Sequence, residues 1–319
     1  MKIKISALSL GLAAFWSLVV VLSGCNKSNN SGLNANTSTI TTVLKSSINA
    51  TVFYQATVRT GLDTLFDGPG PYTVFVPTDS AFLAAGISSS SLSSAPAATV
   101  KDLLLYHTLA GTTLITTSFP MVSSSKVITA NGDSIFISNS SNGFFVNGIP
   151  VEQSDILLSN GVVHAITLSP LLPAKGTLMQ LIQSDTSLTY LSAAVSRASQ
   201  GSTDITTKLT SGGPYTLLAP NNDGFRSYGY ATVSDVTNAN ADSLAKILLY
   251  HIISARLFTC DISLGQHSQT AQGGSVLFTA TGTQRQIKGT SNIDNADLLK
   301  ADILARNGVL YVINRVLLP

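Results

Sequence analysis

The residue types able to do chemistry are few: the sequence holds four histidines, two cysteines and scattered aspartates. His107 and His251 each follow a tyrosine, Tyr106 and Tyr250, and an imidazole beside a phenol can ligate a metal or move a proton. Asp79 is a conceivable general base. Asp155 and Asp302 precede Ile156 and Ile303, but glycoside hydrolysis needs two carboxylates in each active domain. These two come one per half of the chain, so hydrolysis ranks last among the readings, with a single active half left open. No Gly-x-Ser-x-Gly elbow, His-Glu-x-x-His helix, Cys-x-x-Cys pair or phosphate-binding glycine loop occurs. No catalytic residue, metal site or cofactor is therefore expected.

The elements that must carry these residues give the histidines a plainer role. Val100, Leu103, Leu104 and His107 recur at i, i+3, i+4 and i+7, as do Leu244, Ile247, Leu248 and His251. This is one face of an amphipathic helix, and it places both imidazoles toward a core, where a neutral ring bonds to backbone or a neighbour. Thr42–Ser46 and Thr177–Ile182 also read as helical. Tyr72–Val76 reads as a buried strand ended by Pro77, after which Thr78 or Asp79 can cap a short helix that brings Phe82 back to the core. Asn131-Gly132, Asn142-Gly143 and Asn147-Gly148 mark tight hairpins between short strands.

Nearly all of this occurs twice. Pro71-Tyr-Thr-Val-Phe-Val-Pro-Thr-Asp-Ser-Ala-Phe82 returns as Pro214-Tyr-Thr-Leu-Leu-Ala-Pro-Asn-Asn-Asp-Gly-Phe225, Leu104–His107 returns as Leu248–His251, and Asn160-Gly-Val-Val-His-Ala-Ile166 returns as Asn307-Gly-Val-Leu-Tyr-Val-Ile313. A repeat of this size is a whole domain rather than a solenoid unit. Helices early and strands late in each copy predict an α+β fold.

The three blocks resemble the signature segments of the fasciclin-domain family, a Thr-Val-Phe-Ala-Pro-Thr-Asp segment, a central Tyr-His pair and a closing Asn-Gly-Val-Val-His segment. The resemblance covers residues 37–173 and 174–319, and implies two tandem domains, each a wedge of strands with helices packed along one side, serving adhesion or extracellular interaction rather than catalysis. In animal members the Tyr-His region is associated with integrin binding, which carries over to Tyr106-His107 and Tyr250-His251. A second family segment implicated in adhesion matches Asp155-Ile156 and Asp302-Ile303. Read from the residues alone, these last are turn carboxylates bonded to backbone amides beside core isoleucines. The second copy departs at Asn221-Asn222, where the first has Thr78-Asp79, and at Tyr311, where the first has His164. An asparagine cannot ionise but still caps a helix, so capping is the role both copies share.

At 319 residues and 44% hydrophobic content the chain has material for two cores. Only 11% of residues are charged, so serine, threonine, asparagine and glycine must build much of the surface. Lys2, Lys4 and the apolar run Ile5–Leu22 read as an export signal over residues 1–24, and Leu22-Ser23-Gly24-Cys25 resembles a lipobox, which implies cleavage before Cys25 and acylation of that residue. Several acyl chains would hold the protein firmly on a membrane. Residues 25–36 then form a flexible tether. Removal of residues 1–24 leaves equal numbers of basic and acidic residues, 16 of each, which disfavours a nucleic-acid partner. Cys260, the remaining thiol, is expected to pack as a small hydrophobe. The expected function is that of a non-enzymatic envelope or cell-surface lipoprotein binding an extracellular protein or glycan. The alternative is a carrier holding an apolar small molecule or lipid in a domain cleft.

Overall fold

The structure, a computed structural model, describes residues 37–47 and 49–319. The export signal over residues 1–24, Cys25 and the tether over residues 25–36 lie outside the described residues. In the first repeat, helices Ile40–Ser46, Thr51–Thr60 and Leu62–Asp67 precede strand Tyr72–Pro77, and helices Asp79–Ala84, Ser89–Ser94 and Ala97–Tyr106 follow it. The second repeat sets Leu178–Ser184, Thr189–Ala198 and Ile205–Ser211 before strand Tyr215–Pro220, with Asn222–Tyr228, Val233–Asn238 and Ala241–Tyr250 after it. Local chemistry fixes the starts of these helices. Thr39 caps the first of them, and Thr177 with Gln180 forms a capping box at its counterpart.

Each repeat folds its strands into seven in one order. In the first copy it runs Thr108–Ala110, Tyr72–Pro77, Gly161–Ile166, Ile149–Leu158, Gly143–Val146, Ser134–Ser140, Ser125–Ile128. The opening and closing strands of a copy are therefore parallel neighbours, Tyr72 opposite Gly161 and Tyr215 opposite Gly308. The remaining pairs are antiparallel. Both faces of the parallel pair are covered, which is why Tyr72–Pro77 reads as a continuous apolar run. Val74 and Val76 enter the helical core with Phe53, Phe66 and Leu104, while Phe75 enters a second core with Tyr106, Ile135 and Ile166. Leu217 with Ala219, and Leu218, divide in the same way in the second repeat. A Cβ added to Gly161 would lie 2.0 Å from the Tyr72 carbonyl oxygen, and one on Gly308 2.2 Å from that of Tyr215. The Asn-Gly of the closing block is thus required where two parallel strands begin side by side.

The three Asn-Gly dipeptides of the first copy sit at hairpins, and at Asn147-Gly148 both residues are left-handed, at φ 50° and 79°. Both repeats belong to one compact unit. Phe136 of the first repeat packs against the strand-side core of the second, its ring centre 6.4 Å from that of Phe258.

Candidate functional site

The Tyr-His pairs end the helices Ala97–Tyr106 and Ala241–Tyr250, where each helix runs into the junction between its helical and strand-side cores. Tyr106, His107, Tyr250 and His251 are all wholly buried. His107 Nδ1 donates to the Leu103 carbonyl at 2.8 Å, and Nε2 accepts from the Leu171 N–H at 2.9 Å. His251 repeats this with Ile247 at 2.8 Å and Leu317 at 2.9 Å. Each ring is a neutral strut from the helix to the segment that leaves the closing strand, and burial lowers both pKa values to about 4. Tyr106 Oη donates to the Ser134 carbonyl and accepts from Asn147 Nδ2, both at 3.1 Å. Tyr250 donates to the Ser275 carbonyl and accepts from the Thr290 N–H. The pair thus fixes two segments at once, and the side chains themselves present no surface to a partner.

Asp155 and Asp302 stand where the strands Ile149–Leu158 and Ala296–Ala305 slip register, each in the left-handed region at φ 59° and 54°. Asp155 accepts from the Thr116 N–H at 2.8 Å and the Thr116 hydroxyl at 2.5 Å, and Asp302 accepts from Thr259 at the same two distances. Each carboxylate pins a 3₁₀ turn, Thr116–Ser118 or Thr259–Asp261, to the bulge. The exchange of His164 for Tyr311 belongs to this arrangement. His164 Nε2 donates to the Leu114 carbonyl at 2.9 Å while Nδ1 accepts from the Asp155 N–H at 3.2 Å. Tyr311 Oη reaches the equivalent Leu257 carbonyl at 2.9 Å and lies 3.1 Å from Asp302 Oδ1. Burial lowers the His164 pKa, so its 4.0 Å approach to Asp155 is a contact of a neutral ring rather than an ion pair. Burial raises the pKa of both Asp302 and Tyr311. Ile156 and Ile303 pack against the helical cores beside these bulges.

Thr78 and Asp79 divide two capping tasks. Thr78 accepts from Ala81 N–H and caps its own helix, while Asp79 reaches across to the N–H groups of Thr51 and Val52 at 3.2 and 2.8 Å. In the second copy Asn221 caps through Gly224 N–H and Asn222 accepts from Tyr190 N–H at 3.1 Å. Asp79 therefore sits at a neighbouring helix start and is engaged as an acceptor. Burial pushes the Cys260 thiol up to about 12, far from the thiolate that nucleophilic work requires. Among the described residues no group of three or more His, Cys, Asp or Glu is placed to hold a metal ion, and no helix is long and apolar enough to cross a membrane.

The sequence reading did not single out Asn160 and Asn307 as anchors. Asn160 accepts from Ile40 N–H and donates to the Phe66 and Gly68 carbonyls, and Asn307 does the same with Leu178, Leu209 and Gly212. Their identity in both copies was the available signal. Arg256 and Phe136, which stack across the two repeats, carried none, because that contact lies between the copies and no repeated block contains it.

A model described as the fasciclin domain matches residues 48–172 and 187–319. Protein sll1483 of Synechocystis sp. is 31% identical over 144 residues, 45% of this chain and 73% of that protein. Immunogenic protein MPB70 of Mycobacterium bovis is 32% identical over 132 residues, 41% of this chain and 63% of the relative. Human periostin is 27% identical over 191 residues, 59% of this chain but 21% of periostin. Among solved structures, an insect FAS1 domain pair from the cell adhesion molecule fasciclin I aligns with 84% of this chain and 96% of its own, at 17% identity and a TM-score of 0.40.

Proposed function

This chain belongs to the fasciclin-domain family, and on that footing we propose that it is a non-enzymatic adhesion lipoprotein of the cell envelope, tethered through an acylated Cys25 and binding an extracellular protein or glycan. The observation that carries the reading is that the histidines, tyrosines and aspartates repeated in both copies are engaged in fastening one segment of the fold to another. Their duplication conserves a shape. On the bulged strands around Asp155-Ile156 and Asp302-Ile303 solvent reaches residues 152–154 and 299–300, and the Asp155 side chain is one-third exposed, whereas Asp302 lies against Gly148 of the other repeat. Tyr106-His107 and Tyr250-His251 position these surfaces from within. Two such surfaces on one chain gain avidity when a partner offers both epitopes.

The reading is tested by attachment of cells that carry the wild-type protein, lack it, or carry Cys25→Ala. Attachment lost in both altered strains, with the Cys25→Ala protein released from the membrane fraction, is the expected result. Equal attachment in all three strains removes adhesion, and a Cys25→Ala protein that still sediments with membranes removes the lipid anchor.

A further inference from the structure

Between the two repeats lies a cleft of about 790 Å³, within the range of small-molecule sites. Arg256 stands in its wall, only 7% exposed, with its guanidinium 3.9 Å from the centre of the Phe136 ring of the other repeat. Its Nη1 donates to the carbonyls of Ala305 and Gly308, and Nη2 to that of Arg306. A guanidinium has five N–H donors, so two are left without an acceptor among the described residues. No carboxylate of the described residues lies within ion-pair distance of it, although an unpaired buried charge is costly. Lys126 and Arg306 line the same cleft, both exposed and neither in an ion pair among the described residues. Asp133 is the single acid in the lining. Three cations in one cleft are a marked concentration in a chain with 11% charged residues.

We propose that this cleft binds a hexuronate unit, the carboxylated sugar of acidic polysaccharides. The planar guanidinium suits a carboxylate, and Lys126 and Arg306 at the exposed edge raise the local concentration of an anionic chain. The wall also carries five serines, whose hydroxyls match those of a sugar, beside Leu257, Leu304 and three alanines. Among these serines, Ser124 has a buried hydroxyl with no partner among the described residues, on a residue held at φ 57°. The Phe136 ring offers an apolar patch against the C–H face of a sugar. The inference names a sugar chemistry for the glycan side of the adhesion reading, and rests on that reading for the supply of polysaccharide.

The test is calorimetric titration of the purified full chain in detergent with trigalacturonate, an uncharged galactose trisaccharide and inorganic phosphate. Saturable binding of trigalacturonate alone is expected, weakened at least about tenfold by Lys126→Ala with Arg306→Ala. Both side chains are exposed, so an unchanged urea midpoint shows that this variant still folds, whereas Arg256→Ala bares three carbonyls and is unsuitable. No binding of trigalacturonate, equal binding of the uncharged sugar, competition by phosphate, or undiminished binding by the double variant overturns the site. If trigalacturonate fails while envelope material is still captured by the wild-type chain, the cleft assignment falls and the adhesion reading stands. Absence of any capture removes the adhesion reading itself.

Discussion

Burial holds the imidazoles of His107 and His251 at a pKa of about 4, so between that value and the ordinary 6.5 the folded chain keeps them neutral while the unfolded chain protonates them. The unfolded state then binds more protons, and stability falls as pH falls. Each ring contributes stability that is complete above pH of about 6.5 and is lost on the way down to about 4, on the order of 3 kcal/mol apiece. Asp185, Asp204 and Asp242, held below the ordinary range chiefly by hydrogen bonds, act in a lower window, as pH falls through their own depressed values. Urea midpoints measured from about pH 7.5 down to pH 4.5 are expected to drop steeply, and the drop should shrink in a His107→Gln/His251→Gln variant. A flat profile over that interval would show that the rings are not held neutral.

At the scale of the element, the capping pairs explain why Thr78-Asp79 and Asn221-Asn222 are interchangeable in sequence. Both second residues accept from the first turn of a neighbouring helix, so Asp79→Asn should cost little while Asp79→Ala should cost about 1–2 kcal/mol. Thermal unfolding of the two variants decides this, and equal destabilisation by both would mean that charge rather than acceptance matters. Helices Ile40–Ser46, Asp79–Ala84 and Ala97–Tyr106 with their counterparts, the opening and closing strands and the Asn-Gly hairpins were legible because each follows a local rule, whether a helical period, a cap or a turn dipeptide, whereas Thr51–Thr60, Leu62–Asp67 and Ser89–Ser94 were not singled out. The parallel pairing of the first and last strands was not, since no local signal joins Tyr72 to Gly161 across the length of a domain. Tyr106 shows the limit of periodicity. The apolar face that places His107 in the core leaves Tyr106 off it, yet the tyrosine is wholly buried. The helix ends between two cores, and one face pattern describes only one of them.

At the scale of the whole molecule, duplication supplied two copies of one fold, and a few residues outside the repeated blocks join them. Gly148, at the tip of the Asn147-Gly148 hairpin, is one. A Cβ there would lie 3.0 Å from the Phe258 ring and 3.1 Å from the Asp302 carboxylate of the other repeat, and its φ of 79° disfavours any L side chain. Gly148→Ala should therefore cost about 1–3 kcal/mol and speed hydrogen exchange at the junction, around Phe136 and Phe258, before it does so in either helical core. Exchange raised equally throughout would mean that the junction is not a separate point of weakness.

Adhesion itself is tested most directly by cross-linking the intact protein in its native envelope, recovering it, and quantifying co-purified proteins and glycans against a strain that lacks it. A defined protein or glycan enriched in proportion to the amount of chain recovered is the expected result. Recovery of the chain in good yield with no protein or glycan enriched above the control would contradict the adhesion reading.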